Sequence, residues 1–395
     1  MCIRDRPGTI LARTARGVGW IVGWRMTTRL LGLMGTLTLV RLLVPADFGL
    51  VALGSSFALA VDALSTVGIE DALIREKSPS RELYDTGFTL NMLRGLASAV
   101  IIAATAFPAA RFFGEPRLAN VLLALAAATL GSGVINIGTV EFRRDLAFDK
   151  EFYLQVVPRI CGIILAITVA VTWRSYWALI AGILSSRLLG VGLSYIMHPY
   201  RPRFTMRGWR SLAGFSFWTW VLSLAALVRD RSDNFVIGRA LGTTAVGIYE
   251  VGTEIAALPI TELIAPLARA TFSGFAAARH AGVDAAHTYL RIIATMILFT
   301  LPACIGISLV ADPIVKLAFG PKWLGATPLV QILGVAGSIT VLGFVSATLF
   351  SAHALLRPMF RIVLLAAAVR LVLLIVLVQR YGLAGGDMAG GISMA

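Results

Sequence analysis

A phrase of ten residues is written twice in this chain, 198 positions apart, and each copy closes a long apolar segment that contains arginine. The first copy is Arg41-Leu42-Leu43-Val44-Pro45-Ala46-Asp47-Phe48-Gly49-Leu50. The second is Arg239-Ala240-Leu241-Gly242-Thr243-Thr244-Ala245-Val246-Gly247-Ile248. At that offset Arg41 meets Arg239, Gly49 meets Gly247, Gly54 meets Gly252 and, upstream, Trp20 meets Trp218. A repeat constrains architecture more than any local pattern, because both copies must fold alike. Among membrane helices it predicts two homologous halves moving about a shared central site.

The bilayer is the solvent that the composition requires. Hydrophobic residues make up 57% of the chain and charged residues 14%, with a mean hydropathy of +0.82. No soluble fold of this length needs so much apolar surface. Runs of about 20 apolar residues, enough to cross a hydrocarbon core, predict spans near 17–43, 48–73, 87–107, 117–139, 153–172, 175–197, 212–238, 246–270, 289–311, 325–350 and 358–379. A twelfth begins at Tyr381 and stops unfinished at Ala395. The expected fold class is therefore an all-α integral membrane protein built from two pseudo-symmetric six-helix bundles, incomplete at its C-terminal end. Residues 1–16 form a cytoplasmic segment and 17–200 the first bundle. Residues 201–211 form a basic cytoplasmic connection, and 212–395 the second bundle. Six spans precede the second copy of the phrase, so both halves enter the membrane in the same direction.

The net charge of +14 does not point to nucleic acid, because no basic stretch is interleaved with aromatics on a soluble module. Most Lys and Arg fall on the side of the N-terminus, densest at Arg201, Arg203, Arg207 and Arg210, which places that side in the cytoplasm. The three cysteines form no disulfide framework or zinc site, and the four histidines lack metal-ligand spacing. A phosphate-binding G-x-x-x-x-G-K-[ST] loop is absent from the sequence, so ATP hydrolysis is not expected of this chain. Pro259 and Pro266 bend span eight.

Charges inside the spans carry the functional expectation. An ionised side chain at the bilayer centre costs roughly 2.5–3.5 kcal/mol, so it must face protein, water or ligand. Arg29 lies ~18 Å along the helix from Arg41 in a core about 30 Å thick, which puts it near mid-depth. Arg25 sits one turn below on the same face. In the second half Arg231 and Arg229 lie ~12 and ~15 Å below Arg239, accompanied by Asp230 and Asp233. Glu254 is level with Arg231. Arginine fits a doubly anionic ligand because its guanidinium forms paired hydrogen bonds to phosphate. The candidate substrate-binding residues are Arg25, Arg29, Arg229, Arg231 and Arg187. The candidate ion-coupling residues are Glu254, Asp62, Asp230 and Asp233, for a proton or sodium gradient; no other cofactor and no metal is expected. A bland alternative pairs Arg229 with Asp233 at i,i+4. Arg187 and Arg370 are buried by position but lack a repeat partner, and Arg25, Arg94 and Arg159 can snorkel to the cytoplasmic surface.

Several stretches resemble a known family. These are Arg41–Gly49, Glu70-Asp71-Ala72-Leu73-Ile74-Arg75, Trp177-Ala178-Leu179-Ile180-Ala181-Gly182, Arg201-Pro202-Arg203-Phe204, Phe215-Ser216, Asp233-Asn234, Gly247-Ile248-Tyr249 and Leu258-Pro259. In this order and spacing they resemble Wzx-type polysaccharide flippases. Those form the lipopolysaccharide and teichuronic-acid exporter branch of the multidrug/oligosaccharidyl-lipid/polysaccharide exporter superfamily. The resemblance implies two six-helix bundles plus trailing helices, usually fourteen spans in all. It implies a cationic central cavity and a sugar chain on undecaprenyl diphosphate turned from the cytoplasmic to the outer leaflet of the bacterial inner membrane. Partners implied with it are the lipid-linked oligosaccharide, membrane lipids, and a polysaccharide polymerase or export proteins. The rival readings are a drug or metabolite exporter of the same fold, which calls for an acidic cavity, and a membrane glycosyltransferase or ligase, which needs larger loops than these.

Overall fold

The computed structural model describes residues 7–65, 69–76, 79–209, 227, 231–264, 275, 285–352, 356–383, 385 and 386. These residues are helical wherever they are regular: α1 (Pro7–Leu42), α2 (Pro45–Ser65), α3 (Ile69–Arg75), α4 (Arg81–Phe113), α5 (Arg117–Gly133), α6 (Val140–Arg144), α7 (Phe148–Trp173), α8 (Trp177–Met197), α9 (231–241), α10 (Thr243–Ala256), α11 (Ala285–Leu309), α12 (Thr327–Ala352) and α13 (Leu356–Tyr381). By their contacts they divide into two compact units. One comprises Met1–Leu43 with Phe57–Trp220, the other Val44–Ser56 with Val221–Ala395.

Each copy of the repeated phrase is one structural event, a helix ending and the next beginning. α1 stops at Leu42 and α2 starts at Pro45; α10 starts at Thr243, 198 positions after Pro45, and α9 stops at 241, one residue past the position that matches Leu42. Proline suits a first helical position because the amide it lacks would have no partner there. Within the second unit the two copies also pack on each other. A methyl group at Gly49 would overlap the Thr243 carbonyl oxygen, and one at Gly247 would overlap the Pro45 carbonyl oxygen. The two overlaps exchange under the repeat offset, so the crossing is pseudo-two-fold, with glycine required because backbone meets backbone. Trp218 lies outside the described residues, so the Trp20 match is not visible there.

The first unit is two helical hairpins with α1 laid on one of them. α4 and α5 turn back at Gly114, held at φ 66°, and cross closely at Gly95 and Gly133. α7 and α8 turn back at Arg174, also left-handed, and cross at Gly162 and Gly182. α1 packs along α7. The core of the second unit joins Ile237, Val246, Tyr249, Leu329, Leu333, Leu374 and Val378 from α9, α10, α12 and α13. Trp323, fully buried, meets Phe48 edge to face at 5.3 Å.

Seven described helices are long and apolar enough to cross a membrane, or eight if the bent pair formed by α5 and residues 137–144 counts as one span. Eleven spans are expected from the sequence. α1 misses that standard because its arginines dilute its hydropathy, and α9 and α10 are short as described. In the run 48–73 helix is described on both sides of residues 66–68, as α2 and α3. One expected span is broken. The run 246–270 leaves the α-helical pattern at Ala256, three residues before the amide-free Pro259, and continues as a π turn over Ile260–Ile264; Pro266 lies outside the described residues. The run 117–139 bends by 65° beyond Gly133. There buried Asn136 accepts from the Gly138 amide at 3.0 Å and donates to the Tyr200 carbonyl at 2.9 Å. Asn136→Ala removes both bonds from a dry site. It is expected to lower stability by about 1–3 kcal/mol, read as a lower melting midpoint in detergent.

Candidate functional site

Arginines from three helices of the first unit fall at one level. α1 meets α7 with Gly32 against the Arg159 guanidinium and Gly35 against Ile163. α7 meets α8 with Gly162 against Ser186, whose hydroxyl donates to the Pro158 carbonyl at 3.1 Å. Arg159 and Arg187 therefore adjoin contacting positions, and Arg29 lies three residues before Gly32. All three fall within about one helical turn, ~5 Å along the axes. Arg29 is half-buried with its Nε shielded, while Arg159 and Arg187 are exposed on the protein surface. α1 and α8 carry no carboxylate, and α7 has none beyond Glu151. A layer so composed presents guanidinium donors to an anion. Arg25 belongs to α1, but its side chain is outside what the structure describes.

Arg159 is the residue that sequence reasoning missed. Instead of snorkelling to the rim it folds over Gly32 of α1, in space that any β-carbon would take. The signal available beforehand was the small face of α1, Gly32 and Gly35, which leaves room for a large side chain on the neighbour.

The second unit handles its charges differently. Asp233 is 5% exposed. Its carboxylate accepts from Tyr249 at 2.7 Å and is paired with Arg370, whose side chain is 13% exposed. This pairing runs across helices, from α9 to α13, and gives Arg370 its counter-ion; the alternative local pairing of Asp233 with Arg229 lies outside the described residues. Burying a charge is tolerable when it is paired and hydrogen-bonded, and both conditions hold for Asp233. Beside it, the Asn234 amide donates to Ser56 at 2.8 Å and to Glu250 at 3.1 Å, and Arg231 approaches Glu250 at 3.6 Å. Glu254 is half-buried one turn further along α10. Arg229 and Asp230 lie outside the described residues. In the first unit Asp62 receives Arg94 at 2.9 Å. Arg94 therefore ties α4 to α2 rather than reaching for the rim. Among the described residues no group of His, Cys, Asp and Glu is placed to hold a metal ion.

Residues 38–328 match the family described as polysaccharide biosynthesis protein. Similar relatives include the succinoglycan biosynthesis transport protein ExoT of Rhizobium meliloti (strain 1021), 25% identical over 84% of this chain and 68% of the relative. The lipopolysaccharide biosynthesis protein WzxC of Escherichia coli (strain K12) is 23% identical over 97% and 77%. The teichuronic acid biosynthesis protein TuaB of Bacillus subtilis (strain 168) is 26% identical over 70% and 58%. Among solved structures, the lipid II flippase MurJ in an inward closed conformation superposes with a TM-score of 0.76 at 13% identity, covering 95% of this chain and 85% of that one. An inward-facing multidrug resistance transporter of the MATE family gives 0.72 at 17% identity, covering 93% and 91%. At such identities the structures speak to fold alone, and it is the exporter-superfamily fold expected from the sequence.

Proposed function

We propose that this chain, which belongs to the polysaccharide biosynthesis protein family, is a flippase for a lipid-linked oligosaccharide. It is a multi-pass membrane protein whose relatives are named as transport and biosynthesis proteins of cell-surface polysaccharides. In this reading a sugar chain on undecaprenyl diphosphate loads from the cytoplasmic leaflet of the bacterial inner membrane and leaves in the outer one. The two halves alternate access, and no bond is made or broken. The N-terminus is cytoplasmic, and a polymerase or export protein receives the product.

The observation that carries this reading is the level shared by Arg29, Arg159 and Arg187 on helices with no carboxylate there. A diphosphate accepts several charge-assisted hydrogen bonds, each worth about 1.5–3 kcal/mol. A cationic drug would be repelled from the same layer, which disfavours the drug-exporter reading. Coupling to a proton or sodium gradient is assigned to Glu254, a half-buried carboxylate on α10. Asp62 and Asp233 already carry arginine counter-ions.

Arg29→Ala with Arg159→Ala should cut polymer export by about tenfold or more, measured by complementation in a strain deleted for the gene, while membrane levels stay normal. Lysine at both positions should restore part of the export, because the charge returns without the bidentate geometry. Undiminished export by the double alanine variant would reject the layer as the headgroup site.

A further inference from the structure

The segment His198–Trp209 reads from sequence as a connection between halves, yet as far as Trp209 it is fastened to the first unit. The first three turns of α4 present Asp85, Thr86 and Thr89, all buried. Asp85 accepts from the Arg203 amide at 2.8 Å and from the Tyr200 hydroxyl. Thr89 accepts from the Thr205 amide at 3.1 Å, and Thr86 from the Gly208 amide at 3.2 Å. His198 meets Glu141 at 3.0 Å. Burial first, and the bond to Asp85 second, hold the Tyr200 phenol well above its ordinary pKa, so it remains a donor. These bonds consume the backbone and leave the larger side chains outward. Arg201, Arg203 and Arg207 are exposed, and between them stand Phe204 at 71%, Met206 at 43% and Trp209 at 46% exposure.

The strap also lies where the spans stop, between the end of α8 at Met197 and the start of α4 at Arg81. Arginine alternating with aromatic and apolar side chains at that level complements one surface. Guanidinium groups pair with phosphates, and Phe, Met and Trp seat among glycerol and upper acyl groups. The carboxylates that meet the strap are taken up in fastening it, Glu141 by His198 and Asp85 by Tyr200 and the Arg203 amide. We propose that this strap is a docking surface for the headgroups of anionic phospholipids in the adjoining leaflet, holding the end of the first unit at the bilayer surface independently of any transported substrate.

Hydrogen exchange on the full chain in bilayer discs tests this. Backbone amides of 198–209 should exchange severalfold more slowly in discs of phosphatidylcholine mixed with phosphatidylglycerol than in phosphatidylcholine alone. The difference should vanish at high salt, which screens exposed charge. Arg203→Gln with Arg207→Gln should lose roughly a fivefold preference per arginine. Neither guanidinium fastens the strap, so this variant should match the parent in pure phosphatidylcholine. Equal exchange in the two bilayers, or a lipid effect that survives the double variant, would overturn the proposal. An effect appearing only with added cytosolic protein would assign the surface to an acidic protein partner instead and would equally overturn it.

Discussion

Gly49→Ala is expected to remove most folded protein, although it adds only one methyl group to a helix. The added carbon would overlap the Thr243 carbonyl oxygen and crowd the Gly247 amide nitrogen at 2.6 Å. Both are backbone atoms of α10, so no rotamer change relieves the overlap and the two helices must separate. Overpacking ordinarily costs about 1–3 kcal/mol through shifted side chains; displacing a helix axis belongs at or beyond the top of that range. Gly247→Ala should behave alike, since it opens the same crossing from the other side through Pro45. The double variant should cost less than the sum, because one contact is being spent twice. Gly343→Ala supplies the control. That glycine also sits inside a helix but has open space around its missing side chain, so alanine should be neutral or stabilise by up to about 1 kcal/mol. The measurement is the monodisperse fraction after detergent extraction, with the melting midpoint of what survives. Equal recovery of Gly49→Ala and Gly343→Ala would mean that the close crossing does not exist.

That crossing also shows what a sequence of this kind discloses and what it withholds. Helix positions follow from the length of apolar runs, so α7, α8, α11, α12 and α13 fall near their expected places. The break between α1 and α2 recurs between α9 and α10 because the phrase encoding it recurs. Where a helix interrupts itself is less legible. Beyond the end of α5, Asn136 is held by carbonyls 58 to 64 positions later, those of Ser194, His198 and Tyr200. Ion pairs across helices are hidden for the same reason. Arg370 reaches Asp233 from 137 positions away, a partner that proximity along α9 does not nominate. Asp62 and Arg94, 32 positions apart, meet in the same manner. Arg159 was undervalued because depth can be counted along one helix, whereas the face that meets α1 depends on how two helices are turned. The charge layer of the first unit was thus partly legible: Arg29 by its depth and Arg187 by its place in the span, although Arg187 is exposed where burial was expected, and Arg159 only by packing.

Arg370→Met should destabilise the second unit by about 3–5 kcal/mol, the usual cost of leaving one member of a buried ion pair alone. Asp233 would keep its bond from Tyr249 but not the opposite charge, in a position 5% exposed. Asp233→Leu strands Arg370 instead and should cost a similar amount. Combining the two removes both charges, and an apolar pair of similar volume is often neutral or better. The Tyr249 hydroxyl alone would lose its acceptor, about 1–3 kcal/mol. A cycle of the four proteins, read by melting midpoint in detergent, should therefore show strong coupling, with the double variant more stable than either single. Additive losses would show that the two residues act independently, contrary to the contact. Export distinguishes a further possibility. If the double variant folds but no longer exports polymer, the pair moves during transport; if export persists, it is a fixed brace between α9 and α13. The brace is the expected outcome, because Asp233 is held from two helices at once and its release would expose a carboxylate to an apolar core.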